Sequence, residues 1–238
     1  MTEVAGPAPY RARDWEAQPP NDHAAYKSTA LRVPRHEMQK IAHTLSETTG
    51  PIFKAADVSA EESDLTRNAG TGEGAIGERI IVAGRVLDEN GDAVSNALVE
   101  IWQANAAGRY RQANDQHRAP LDPNFVGAGR CVSSGDGEYE FLTVRPGAYP
   151  WANHDNAWRP PHIHFSVVGP SLASRLVTQM YFPGDPLLEL DPIFLGVPES
   201  ARNRLIAAFD LEISEAEWAL GYRFDIVLRG RDATPRDL

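Results

Sequence analysis

From Arg79 onward the chain falls into short apolar runs, rich in β-branched residues, separated by segments bearing Gly, Asn, Asp and Pro. The first run, Arg79-Ile-Ile-Val-Ala-Gly-Arg-Val-Leu87, leads into Asp88-Glu-Asn-Gly-Asp92, and Asn-Gly is a strong hairpin signal. The return run Ala97-Leu-Val-Glu-Ile-Trp-Gln103 alternates apolar and polar positions, as a half-buried strand does. A second hairpin is expected from Gly129–Ser133, the turn Ser134-Gly-Asp-Gly137, and Glu138–Val144. His162–Val168, Leu176–Phe182 and Tyr222–Leu228 supply further strands. Short strands joined by turn chemistry predict a mainly β protein, an antiparallel sandwich. One or two short helices accompany it. The clearest runs from Glu199 to Phe209, opened by Pro198, with Leu205, Ile206 and Phe209 at helical spacing.

The first 76 residues have a different texture. Pro7, Pro9, Pro19, Pro20, Pro34 and Pro51 recur too often for a helix, since each removes a backbone donor and restricts its predecessor. Residues 1–76 therefore read as an irregular arm that packs on its own core and on a neighbouring subunit, ahead of a single core domain at 77–238. Across all 238 residues, 23 basic side chains face 33 acidic ones, a formal charge of −10. That balance offers no footprint for nucleic acid or an anionic membrane. No stretch has the length and apolarity of a membrane span, and the first residues lack a signal-peptide layout, so a cytoplasmic protein is expected. The lone cysteine, Cys131, excludes an intrachain disulfide and any metal site built from several thiolates.

Candidate chemistry begins at His162-Ile-His164. On a strand, residues i and i+2 share a face, so two imidazoles can converge on one metal ion. A satisfied core histidine beside a solvated one is the plainer reading, and by spacing alone the two are about evenly matched. His154 keeps a three-histidine zinc site open, and Asp155 or Asp185 a facial triad. His23, His36, His43 and His117 sit in arm or loop contexts and read as solvated. Tyr110 and Tyr149 each lie in a loop just beyond a strand, where rigid scaffolds display functional groups. A phenol with pKa near 10 becomes a ligand only if the metal drives off its proton, which favours a hard ferric ion over zinc.

Several runs together resemble the intradiol ring-cleavage dioxygenases. They are Gly77-Glu-Arg-Ile-Ile-Val-Ala-Gly-Arg-Val86, Val99-Glu-Ile-Trp-Gln-Ala-Asn-Ala-Ala-Gly-Arg-Tyr110, Leu121-Asp-Pro-Asn-Phe125, Arg145-Pro-Gly-Ala-Tyr-Pro-Trp151 and Trp158-Arg-Pro-Pro-His-Ile-His-Phe165. Ser46–Pro51 and Tyr222–Gly230 extend the likeness over most of the chain. The resemblance is strongest to the beta chains of the protocatechuate-cleaving branch. It implies a transthyretin-like sandwich and a non-haem Fe(3+) held by Tyr110, Tyr149, His162 and His164, with hydroxide as fifth ligand. Tyr149 and His164 would be axial, Tyr110 and His162 equatorial. It further implies that Arg159 steadies charge on the activated ring, and that Tyr26, Trp151, Gln179 and Ile193 line the substrate pocket. The implied reaction is cleavage of protocatechuate by O2 to 3-carboxy-cis,cis-muconate, in an assembly with an alpha subunit. Intradiol cleavage of another catechol, such as catechol or hydroxyquinol, and a non-catalytic transthyretin-like binding module are the alternatives.

Overall fold

The computed structural model describes residues 14–37, 39, 41, 44–48, 53–169 and 175–238. The start of the arm with Pro7 and Pro9, His43, and residues 49–51 of the Ser46–Pro51 run lie outside these residues. In chain order the strands are β1 (Arg79–Leu87), β2 (Leu98–Gln103), β3 (Ala128–Val132), β4 (Glu138–Val144), β5 (Tyr149–Pro150) and β6 (Trp158–Arg159). They continue with β7 (His162–Val168), β8 (Leu176–Tyr181), β9 (Ala208–Phe209), β10 (Leu220–Arg223) and β11 (Ile226–Val227).

Two sheets face each other. In the first, β1 pairs antiparallel with β4 on one side and parallel with β10 and β11 on the other, and β9 extends β10. The second runs β3-β2-β7-β8, antiparallel throughout. Strand periodicity fills the space between them: Ile80, Val82 and Val86 of β1 meet Val99 and Ile101 of β2, Phe141 of β4, and Ile163, Phe165 and Val167 of β7. Full burial of each such side chain contributes about 1.5–3 kcal/mol, which fixes the register of every strand that carries one. A separate apolar cluster of Tyr181, Leu188, Phe194, Val197, Ala201 and Leu205 covers part of the outer face of the second sheet. No helix among the described residues is long and apolar enough to cross a membrane.

Four local expectations need correction. The turn after β1 forms, with Gly91 at φ 84° and Asp88 N–H donating to Asp92 O, yet the returning chain makes only the bridge Leu87–Ala93. β2 then joins the other sheet, because Val99 and Ile101 bury against β1 from across the core. The Ser134–Gly137 turn likewise joins two sheets, since β3 pairs with β2 while β4 pairs with β1. The helix expected over Glu199–Phe209 is a single turn, Glu199–Arg202, followed by a 3-10 turn at Asn203–Leu205. A bridge from Ile206 to Tyr181 and a hydrogen bond from Ala207 N–H to Tyr181 O draw the chain onto the sheet edge, leaving Phe209 in β9. Finally, Tyr222–Leu228 is split into β10 and β11, because the Asp225 side chain takes the Arg85 N–H in place of a backbone carbonyl.

Candidate metal centre

With Ile163, Phe165 and Val167 turned into the core, the pleat turns His162 and His164 to the outer face of the second sheet. Their Nε2 atoms lie 3.2 Å apart. Register supplies the neighbours: Trp102 of β2 and Gln179 of β8 flank His164, and Tyr181 pairs with His162. Trp102 stacks on His164 with ring centroids 4.8 Å apart and planes within 2° of parallel. His162 Nδ1 lies 2.8 Å from Pro160 O, so that nitrogen carries the proton and Nε2 is left with a lone pair.

Two loops bring phenols to this face. The Asn105 side chain accepts hydrogen bonds from Ala107 and Arg109 N–H, and Asp115 accepts from Tyr110 N–H, which together curl the chain after β2. Gly108, at φ 78°, lies directly against the Ala148 carbonyl, and Gly147 N–H donates to Asn105 O. The loop carrying Tyr110 is thereby fixed to the one carrying Tyr149. The rings meet edge to face at 5.3 Å, and Tyr149 lies 5.5 Å from the His162 ring.

Pairing of β5 with β6 sets Tyr149 opposite Arg159. Arg159 is buried, and its Nη2 donates to Gln179 Oε1 at 2.7 Å, the Tyr181 hydroxyl at 2.9 Å and Asp191 Oδ2 at 2.8 Å. Its Nη1 lies 3.3 Å from His162 Nε2, and the guanidinium sits 5.6 Å from the Trp151 ring. Asp191 also accepts from Ile193 N–H, capping the turn Pro192–Leu195 and placing Ile193 beside the network. From the arm, Tyr26 packs on Trp151 at 5.3 Å, its loop held by Asn153, which accepts from Lys27 N–H and donates to Ala25 O.

Burial, reinforced by the adjacent Tyr149, pushes the Tyr110 phenol well above its ordinary value near 10. Burial also raises Tyr149, with Arg159 opposing it. Burial first, then the Arg159 charge, drives His162 well below its usual value; burial lowers His164, with Asp237 opposing. The chain by itself therefore keeps both phenols protonated and both imidazoles neutral. Around this point the Tyr110 hydroxyl, His164 Nδ1, Arg159 Nε and Trp151 Nε1 are buried without hydrogen-bond partners. Buried polar atoms are rarely left so, and a cation ligated by two imidazoles and two phenolates would satisfy the first of them. The donors fit such an ion.

The other spacing candidates lie elsewhere. His154 and Asp155 are exposed, His154 Nδ1 lying against Asp155 O, and Asp185 caps Leu187 N–H. His117 pairs with Asp115 on the loop beyond Tyr110. No group of three or more His, Cys, Asp and Glu suited to a metal occurs among the described residues.

Comparison with known proteins gives the family. Residues 48–230 match the family model described as dioxygenase, and residues 11–44 match that of the protocatechuate 3,4-dioxygenase beta subunit N terminus. The chain belongs to the intradiol ring-cleavage dioxygenase family. It is 58% identical to a protocatechuate 3,4-dioxygenase beta chain of Burkholderia cepacia over 94% of its length and 96% of that protein's. To the alpha chain from the same organism it is 28% identical, over 83% and 98% of the two lengths. Among solved structures, 3-chlorocatechol 1,2-dioxygenase of Rhodococcus opacus superposes with a TM-score of 0.55 at 21% identity, covering 90% of this chain and 78% of that one, a likeness of fold.

Within this intradiol dioxygenase, sequence reasoning missed Trp102, Tyr181, Asp191 and Asp237. Trp102 could have been found from the alternation of β2, which puts it on the face opposite Val99 and Ile101. Asp191-Pro192 carries a helix-start signal, though nothing local ties it to Arg159. Asp237 has no sequence signal at all.

Proposed function

We propose that this chain is the iron-holding beta subunit of a protocatechuate 3,4-dioxygenase, cleaving protocatechuate (3,4-dihydroxybenzoate) with O2 to 3-carboxy-cis,cis-muconate. The observation that carries the reading is its 58% identity to a beta chain of that enzyme, across 94% of this chain and 96% of that one. In this reading Tyr110, Tyr149, His162 and His164 hold a non-haem ferric ion. Hard phenolate oxygens with imidazole nitrogens suit such an ion, whereas zinc favours nitrogen and sulfur. Once bound, the ion supplies Lewis acidity and a template for the catechol.

The remaining steps fall to side chains. Were the ion to hold Tyr149 as a phenolate, its oxygen would be the base for a proton of the incoming catechol, since burial favours the protonated phenol. Arg159 cannot titrate, and Asp191 and Gln179 hold it fixed, so its charge stays aimed at negative charge developing on the ring. Tyr26, Trp151, Gln179 and Ile193 bound the ring and keep water from it. The arm, residues 1–76, packs on the 77–238 core and on an alpha subunit. The alpha-chain relative, 28% identical over 83% of this chain, supports a pairing of two related chains. A chain with one thiol and no disulfide framework suits the cytoplasm.

The test is to co-express the chain with its alpha subunit in iron-replete cells and record iron content, visible absorption and oxygen uptake. The expected protein is wine-red with a broad phenolate-to-iron band. The band shifts on anaerobic addition of protocatechuate, and oxygen is consumed one for one with substrate. A colourless, iron-free protein that consumes no oxygen overturns the reading.

A further inference from the structure

The segment after β11 runs back alongside β8, the edge strand of the second sheet. Asp237 N–H donates to Val177 O at 2.8 Å, and Thr178 Oγ1 donates to Pro235 O at 2.6 Å. The arm straps this segment down. Gln18 Oε1 accepts from Arg236 N–H at 2.8 Å, Gln18 Nε2 donates to Thr234 O, and the Arg236 guanidinium donates to Pro19 O and Asn21 Oδ1. The effect is to set one carboxylate, Asp237, against the outer face that carries the histidines. Its Oδ1 accepts from Gln179 Nε2 at 2.5 Å, and its Oδ2 lies 3.6 Å from His164 Nδ1. Gln179 Oε1, in turn, accepts from Arg159.

Resting on the assignment of His164 as an iron ligand, we propose that Asp237 is the positioning residue of this centre. Its carboxylate accepts a hydrogen bond from His164 Nδ1–H, so that Nε2 presents its lone pair to the metal. The same carboxylate holds Gln179 in the orientation that offers Oε1 to Arg159. One residue thereby sets both the metal ligand and the neighbouring cation.

The tautomer is the crux. A neutral imidazole has one N–H, and only an acceptor at Nδ1 frees Nε2 for a metal. His164 Nδ1 is buried and has no hydrogen-bond partner, and Asp237 is the acceptor standing opposite it. The separation of 3.6 Å exceeds a hydrogen bond, and contacts of this kind tighten when a site is loaded. Stacking on Trp102 already fixes the plane of the ring, leaving the proton position as the open variable. Ligating histidines generally donate their second nitrogen to such a partner, and losing the partner costs about 10–100-fold in metal affinity.

Asp237→Asn is the informative variant. Its amide can accept from Gln179 or from His164, and its NH2 opposes the donor on the other. Gln179 cannot turn over to help, because its Oε1 is engaged by Arg159 and the Tyr181 hydroxyl. In the alpha–beta holoenzyme, iron release to a strong chelator should be about 10–100-fold faster than wild type. The visible band should shift, while the metal-free variant unfolds within about 4 °C of metal-free wild type. Iron release at the wild-type rate with an unshifted band overturns this proposal and leaves the iron site standing. A wild-type enzyme that holds no iron overturns the parent assignment and this one with it. If D237N does not accumulate folded, Gln18→Ala loosens the strap that holds Asp237 without replacing any side chain at the centre. It should release iron a few-fold faster, and an unchanged rate overturns the proposal.

Discussion

His162 and His164 point their Nε2 atoms at each other across 3.2 Å. This contact is a hydrogen bond only if His164 carries its proton on Nε2, since the His162 proton sits on Nδ1 against Pro160 O. Asp237 beside His164 Nδ1 argues for the opposite tautomer, and two lone pairs then converge where a cation would relieve them. His162→Ala should accordingly lose at least the roughly 10–100-fold in iron affinity that follows removal of an outer partner. Iron analysis after dialysis checks it. A fully loaded variant would refute ligation by His162.

Gly108 is the joint between the two tyrosine loops. At φ 78° it occupies the left-handed region, and a Cβ there would collide with the Ala148 carbonyl. Gly108→Ala therefore either strains the backbone, at about 1–3 kcal/mol, or pushes the Tyr149 loop away from Tyr110. Both a lower thermal midpoint and weaker visible colour are expected. Wild-type values for both would mean that the loops are positioned without this contact.

Tyr149→Phe removes the hydroxyl but keeps the ring that packs on Tyr110 and His162. Iron should stay bound through the three remaining donors, while the proton-accepting group is lost. Anaerobic mixing with protocatechuate should then show substrate binding slowed by about 10²-fold or more, the usual contribution of a positioned base. Transient kinetics matching wild type would remove Tyr149 from that role.

Cys131 lies on β3 and packs against the core between the two sheets, its thiol pushed up to about 12 chiefly by burial. At pH 8 only ~1 thiol in 10,000 is then ionised, and the thiolate is the reactive form. The folded protein should resist a disulfide-exchange reagent for hours and react fully once denatured. Rapid stoichiometric labelling of the native protein would show an opened β3–β4 corner.

What could be seen in advance follows the range of the forces involved. The shared face of His162 and His164 was legible because strand parity is local: Ile163 between them had to enter the core. Turn residues were legible too, but they state only that the chain reverses. Whether Ala97–Gln103 returns beside β1 or crosses to the other sheet depends on which core positions remain to be filled. The parallel pairing of Ile80–Ala83 with Leu220–Arg223 spans most of the domain and leaves no local trace. Tyr110 and Tyr149 could be singled out from seven tyrosines only through resemblance, because Gly108 and Asn105 bring their loops together through backbone contacts. Asp191 and Asp237 reach Arg159 and His164 from elements remote in sequence.

Arg159 sits in a buried ion pair besides its proposed role toward charge on the ring, and the two can be separated. It is 3% exposed, and its partner Asp191 is wholly buried, 2.8 Å away. Removing the cation strands a buried carboxylate, which costs about 3–5 kcal/mol, so Arg159→Met should fall by that much in denaturant unfolding and lose turnover. Pairing it with Asp191→Asn removes the stranded charge while the amide oxygen still caps Ile193 N–H. The double variant should regain most of the stability, since a buried ion pair replaced by neutral groups is often near neutral overall. Its turnover should stay lower by a factor on the order of 10² or more, because the guanidinium proposed to steady charge on the ring is gone. If turnover returned together with stability, Arg159 would be a structural residue and charge on the substrate would have to be held by another group.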